Sequence, residues 1–312
     1  MKTKLIILIF LIGIIIGIGV SPLAGSKPQD FLSPLSTPLA ENNDNQVLGE
    51  SQPVTPSSEK NQNPEETAAS LPVSSLKPSS TPREALPQYS NYSGKITVAI
   101  FGDSMVDVMD TNLPHLRAEL RRFFPKANYY LYNYGVGSQN IEQGRKRVEE
   151  AYDYKDRHYP SIVNLNPDVI ILDSFAYNPF PKKTEDELYQ HWANLAAIVN
   201  VLKNKTHAKI IIMADIAPSK EKFGQGSQGI NWSVNDAWQQ AIKINSYLTN
   251  TIKFAKATNL PLIDIYHQTL LPDGEGNLDY ISSDDHIHQN FAGNQLIAKN
   301  IAEAIYSLNL FK

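Results

Sequence analysis

Ser104 stands in Ile100-Phe101-Gly102-Asp103-Ser104, at the exit of the β-branched run Ile96-Thr97-Val98-Ala99-Ile100, and Asp285-His286-Ile287-His288 follows just before the last helical pattern. A serine hydroxyl is a poor nucleophile until a base takes its proton, and imidazole does so best when a carboxylate fixes its tautomer. Ser104, His288 and Asp285 can fill the roles of nucleophile, base and acid. The acid precedes the base by three residues, a spacing at which a tight turn or a first helical turn brings the two side chains together. The oxyanion formed on such a serine needs preorganised donors. Candidates are the Ser104 N–H, an N–H of Gly137 or Ser138 in Asn133-Tyr134-Gly135-Val136-Gly137-Ser138, and the Asn178 amide. Together these groups would run acyl transfer through a serine ester.

Other chemistries fit less well. His286 and His288 beside Asp284 and Asp285 are possible metal ligands, but no second His/Asp cluster with ligand spacing accompanies them, and no metal or other cofactor is expected. His286 is expected to point into solvent or onto a loop. Gly135-x-Gly137 fails as a dinucleotide fingerprint because Asn140 stands where the third glycine belongs. A net charge of -4 argues against a general nucleic-acid binder. The basic clusters Arg117, Arg121, Arg122, Lys126 and Arg145, Lys146, Arg147 read as solvated faces of helices.

These residues must be positioned by a scaffold, and from about Lys95 short β-branched runs alternate with longer amphipathic segments, the signature of a parallel sheet covered by helices. Strands are expected at Ile96–Phe101, Tyr129–Tyr132, Val169–Leu172, Lys209–Met213 and Pro261–Ile265. Helices are expected at Pro114–Phe124, Ile141–Tyr152, Glu185–Lys203, Val234–Ala257 and Ala292–Leu308. In such sheets ligands gather beyond the carboxyl ends of the strands, where Ser104, the Asn133–Ser138 loop, Asn178 and the Asp285–His288 segment all fall. Tyr177 and Trp232 are candidate substrate contacts on the rim. The long segment 217–233, with Gly224-Gln225-Gly226-Ser227-Gln228-Gly229, is expected to serve as a lid.

Gly102-Asp103-Ser104 and Asp285-His286-Ile287-His288, with the continuation Gln289-Asn290-Phe291-Ala292-Gly293, resemble the first and last motif blocks of the SGNH hydrolases, also called the GDSL esterase/lipase superfamily. The resemblance spans residues 94–312 and implies a flavodoxin-like three-layer α/β/α sandwich. It also implies Ser104 as nucleophile, His288 as base, Asp285 as acid, and Ser104 N–H, a second-block glycine (Gly137) and Asn178 as oxyanion donors. Two blocks depart from the usual pattern. Ser138 stands where the Asn-x-Gly-x-Ser-Gly form has its glycine, and Ser174-Phe175-Ala176-Tyr177-Asn178 replaces Gly-x-Asn-Asp, with Asn178 one residue late.

The rest of the chain speaks to location. Lys2 and Lys4 precede the uncharged apolar run Leu5–Val20, so residues 1–25 read as a membrane anchor with the N-terminus inside, or alternatively as a cleaved signal peptide. Residues 26–93 read as a disordered spacer: 21–93 hold 11 of the 20 prolines and one aromatic, Phe31, before Tyr89, too little apolar surface to offset chain entropy. The chain has no cysteine. The expectation is a single-pass, membrane-tethered, extracytoplasmic serine esterase acting on small acyl esters, chiefly O-acetyl, on cell-surface or cell-wall polysaccharide. The alternatives are a secreted form, a polysaccharide O-acyltransferase, a lipase or thioesterase, and a non-catalytic binding module on the same fold.

Overall fold

The computed structural model describes residues 89–180 and 186–312. The expected membrane anchor and nearly all of the expected spacer lie outside the described residues. Among the described residues no helix is long and apolar enough to cross a membrane.

Five parallel strands form the central sheet: β1 (Lys95–Gly102), β2 (Asn128–Gly135), β5 (Val169–Asp173), β6 (Lys209–Ala214) and β7 (Leu262–Asp264), in the order β2-β1-β5-β6-β7. Counting sheet strands alone, that order is 2-1-3-4-5, the doubly wound flavodoxin-like arrangement, whose ligand site lies where the strand order reverses beside β1. The inner strands are β-branched runs buried on both faces, as a sheet covered on both sides requires: every residue of β5 is buried, and so is every residue of β1 after Lys95. The edge strand β2 still exposes part of its length.

The helices fall into two packed groups. Pro114–Phe123 (α2) lies against the last helix, Phe291–Ser307 (α6), while Ile141–Arg147 (α3), Glu187–Lys205 (α4) and Val234–Ala257 (α5) pack side by side. Residues 90–92 join the first group. The Ser90 N–H donates to the Phe123 carbonyl at 2.7 Å, and the Tyr92 ring meets Phe311 at 5.3 Å.

One expected helix is shorter than its pattern. Ile141–Tyr152 is helical only to Arg147, after a capping box between Asn140 and Gln143. The chain then makes an antiparallel hairpin, β3 (Tyr152–Tyr154) and β4 (Arg157–Tyr159). Its two-residue turn, Lys155-Asp156, has both φ angles left-handed at 49° and 59°, as a type I′ hairpin turn demands. Neither residue is glycine or asparagine, so the usual turn signal is missing. Tyr152 and Tyr159 stack at 4.9 Å, and Tyr134 meets both edge-on.

Arg147 also departs from the expected solvated face: it is only 6% exposed. Its guanidinium donates to the Gly102 carbonyl (2.9 Å), the Tyr134 carbonyl (3.0 Å) and the Tyr152 hydroxyl (3.0 Å). It thereby ties together the ends of β1 and β2 just before the serine.

Candidate active site

The nucleophile turn is held from several sides. Gly102 ends β1 pressed against Val106 and Asp173, where any side chain would collide. Asp103, fully buried, caps the short helix α1 (Ser104–Asp107) by accepting the Met105 N–H at 2.9 Å. Ser104 is therefore the first residue of a helix, half-buried, and neither its N–H nor its hydroxyl has a hydrogen-bond partner among the described residues. Asn133 secures the far end of α1: its amide donates to the Val106 and Asp110 carbonyls at 2.8 and 3.0 Å while its oxygen accepts from Gly135 N–H at 2.9 Å.

The acid and base sit on one turn. Asp285 Oδ2 and His288 Nδ1 are 2.6 Å apart, and Asp285 Oδ1 accepts from the Ile287 and His288 backbone N–H groups at 2.9 and 3.1 Å. Burial alone would push the Asp285 carboxyl up, but the bonds from His288 and these N–H groups outweigh it and hold the carboxyl below its ordinary range. A carboxylate only accepts, so Nδ1 carries the proton and Nε2 is the basic nitrogen. That Nε2 is buried and has no partner among the described residues. The turn is fixed to the nucleophile side by Gln289, whose amide donates to the Met105 carbonyl at 2.6 Å. The residue after the base is thus bonded to the residue after the serine.

Asn178 reaches the same place from β5. Its amide donates to Asp103 Oδ2 at 3.0 Å, which occupies one amide proton and leaves the second for an oxyanion. The second block differs from the expectation. The Gly137 N–H is taken by the Tyr154 hydroxyl at 3.1 Å, so it is not the free donor the motif suggested. Ser138 is exposed, has φ 59°, and its N–H has no partner among the described residues. It adopts the left-handed backbone that a glycine at this place would favour.

Tyr177 is not available to a substrate: it is 5% exposed and its hydroxyl donates to the Ile216 carbonyl at 3.0 Å. Its ring starts a row that continues through Phe223 to the half-buried Trp232. The glycine-rich segment expected as a lid is stitched down. Asn231 bonds Gly226 and Gly229, the Gln228 N–H donates to the Asp284 carbonyl at 2.7 Å, and His286 Nδ1 donates to the Gln225 carbonyl at 2.7 Å. The segment acts as a buttress behind the Asp285–His288 turn, and His286 turns onto this loop.

Beneath the site lie three buried carboxyls. Ser174 links Asp215 (2.8 Å) to Asp173 (3.3 Å), and Asp173 Oδ2 accepts from the Phe175 N–H at 3.1 Å. Burial and the neighbouring Asp173 push Asp103 up to about 7; burial and Asp215 push Asp173 well above the carboxylate range; burial pushes Asp215 up to about 6. Asp107, Tyr154 and Arg147 were not singled out for this site from the sequence, and Asp103 and Asn133 lay in recognised blocks without a role of their own.

No protein-family model matches the chain, and no curated protein matches it. Solved structures of similar fold include a lipase/acylhydrolase from Enterococcus faecalis (16% identity, 68% of this chain and 96% of that one, TM-score 0.49). A GDSL-like lipase from Bacteroides thetaiotaomicron (17%, 68% and 88%, 0.49) and an acetyl xylan esterase (18%, 67% and 100%, 0.48) are similar to the same degree. At that distance, what this chain does is read from its own side chains.

Proposed function

We propose that this chain is an SGNH-type serine esterase that cleaves small acyl esters through an acyl-serine intermediate. The observation that carries the reading is the Asp285–His288 pair, with its basic Nε2 buried and without a partner among the described residues, on a turn bonded to the Ser104 helix. In the first half-reaction His288 Nε2 takes the Ser104 proton as Oγ attacks the ester carbonyl. The oxyanion is received by the N–H groups of Ser104 and Ser138 and by the free amide proton of Asn178, and the imidazolium then protonates the departing alcohol. In the second, water takes the place of the alcohol and the acid is released. A sugar hydroxyl in place of water would make the same site an acyltransferase.

The proposed substrate is an O-acetylated polysaccharide at the cell surface, with the catalytic domain outside the cytoplasm. Its support is the basic flank and apolar run at Lys2–Val20 and the proline-rich stretch after it. The test is labelling of Ser104 by a phosphonofluoridate together with turnover of short and long p-nitrophenyl esters by the full-length protein. Labelling with a preference for acetate supports the reading, a preference for long chains favours a lipase, and an unlabelled, inactive protein overturns it in favour of a binding module.

A further inference from the structure

We propose that Tyr154, on the β3–β4 hairpin, is a positioning residue that locks the oxyanion loop to the nucleophile helix and leaves the Ser138 N–H as that loop's donor. The inference deepens the serine-esterase reading and rests on it.

The Tyr154 hydroxyl makes two bonds whose directions are fixed. It lies 2.9 Å from Asp107 Oδ2, and a carboxylate can only accept, so the phenolic proton goes there. The lone pair that remains accepts the Gly137 N–H at 3.1 Å. Asp107 is three residues after Ser104 on the same short helix, and its side chain is only 9% exposed. The hydroxyl therefore bridges the element that carries the nucleophile and the loop that must receive the oxyanion.

A second contact makes the bridge directional. At Gly135 the loop backbone runs against the Asp107 backbone so closely that a Cβ would collide with it. Loop and helix touch at Gly135 and are bridged again at Gly137, which fixes both separation and rotation. Lys155 completes the arrangement with a 2.7 Å bond to Asp107 Oδ2. The left-handed pair Lys155-Asp156 folds the hairpin so that Tyr154 and Lys155 both reach that carboxylate. With the Gly137 N–H held, the next amide, that of Ser138, is the first after it without a partner among the described residues.

The experiment uses full-length protein with p-nitrophenyl acetate turnover, the rate of Ser104 labelling by a phosphonofluoridate, and thermal melting. Tyr154→Phe deletes one hydroxyl and no ring packing. The expected result is a fall in kcat and labelling rate of about tenfold to 100-fold, with KM within about twofold, because alignment of donors matters on the reaction path more than in ground-state binding. Asp107→Ala, which removes the acceptor, should show the same split, and the double variant should be no worse than the worse single one, since both break one bridge. Wild-type rates in Tyr154→Phe overturn the proposal, as does a loss that tracks melting temperature or KM alone. A rise in kcat overturns it as well, because it would make the freed Gly137 N–H the better donor. A wild-type protein that is neither labelled nor active fails at the serine reading itself and takes the proposal with it.

Discussion

At the scale of single residues, the site divides into groups that react and groups that hold them. Ser104→Ala removes one oxygen from a half-exposed turn, so turnover of p-nitrophenyl acetate should fall by several orders of magnitude with the melting temperature unchanged. Residual activity within threefold of wild type, by steady-state kinetics, would remove the serine from the mechanism. His288→Ala should be nearly as severe. His286→Ala should lose only the bond to the Gln225 carbonyl, about 1 kcal/mol, seen as a small drop in melting temperature with activity largely kept. Asn178→Ala should lower kcat by roughly 10²–10³ with little change in KM if its second amide proton meets the oxyanion. Because the first proton is bonded to Asp103, a smaller loss would assign Asn178 to holding that carboxyl.

At the scale of elements, strand ends and helix ends were legible because apolar runs and caps are local signals. Val234–Ala257 has the bounds its periodicity predicts, and four of the five sheet strands lie within a residue of theirs, while β2 runs three residues further, to Gly135. What the pattern missed depends on long-range partners. Arg147 reads as a surface cation until the Gly102 and Tyr134 carbonyls and the Tyr152 hydroxyl surround it. The β3–β4 hairpin has no Gly or Asn at its turn, and the helical period simply runs on into it. The motif left the N–H groups of Gly137 and Ser138 both open as donors, and only the tyrosine on the hairpin takes up the first of them. Tyr177 looked like a rim aromatic because its place after β5 is legible and its orientation is not. A consequence at this scale concerns Ser138: Ser138→Gly should keep activity and hold or slightly raise the melting temperature, since glycine removes a left-handed penalty of about 1 kcal/mol. A loss of activity, measured beside the melt, would assign the serine side chain a role of its own.

At the scale of the whole molecule, the buried carboxyls set how stability responds to pH. Asp103 and Asp215 release their protons near about 7 and about 6 in the folded chain, and burial beside Asp215 raises Asp173 well above the ordinary carboxylate range, whereas the unfolded chain releases all three near the ordinary 3.8. The folded state thus binds more protons between those limits, so this contribution is fully present below about pH 4 and is lost as pH rises through 6 to 7. His191 opposes it. Burial lowers it to about 4, its Nε2–H donating to the Ser174 carbonyl, so only the unfolded chain protonates it between about 4 and 6.5. Three carboxyls outweigh one imidazole, and the melting temperature should be at least a few degrees higher at pH 5.5 than at pH 7.5. Asp173→Asn should flatten the difference; an unchanged slope, followed by calorimetry, would show that these acids ionise normally. The sheet itself has a further consequence. The serine hangs from β1, which is flanked on both sides, whereas the acid and base follow β7, an edge strand of three residues. The two halves of the site therefore belong to parts of the fold with unequal resistance to local opening. Warming should part them, reversibly silencing the proposed esterase activity while the centre of the fold is still intact, and amide exchange should be faster after β7 than along β1.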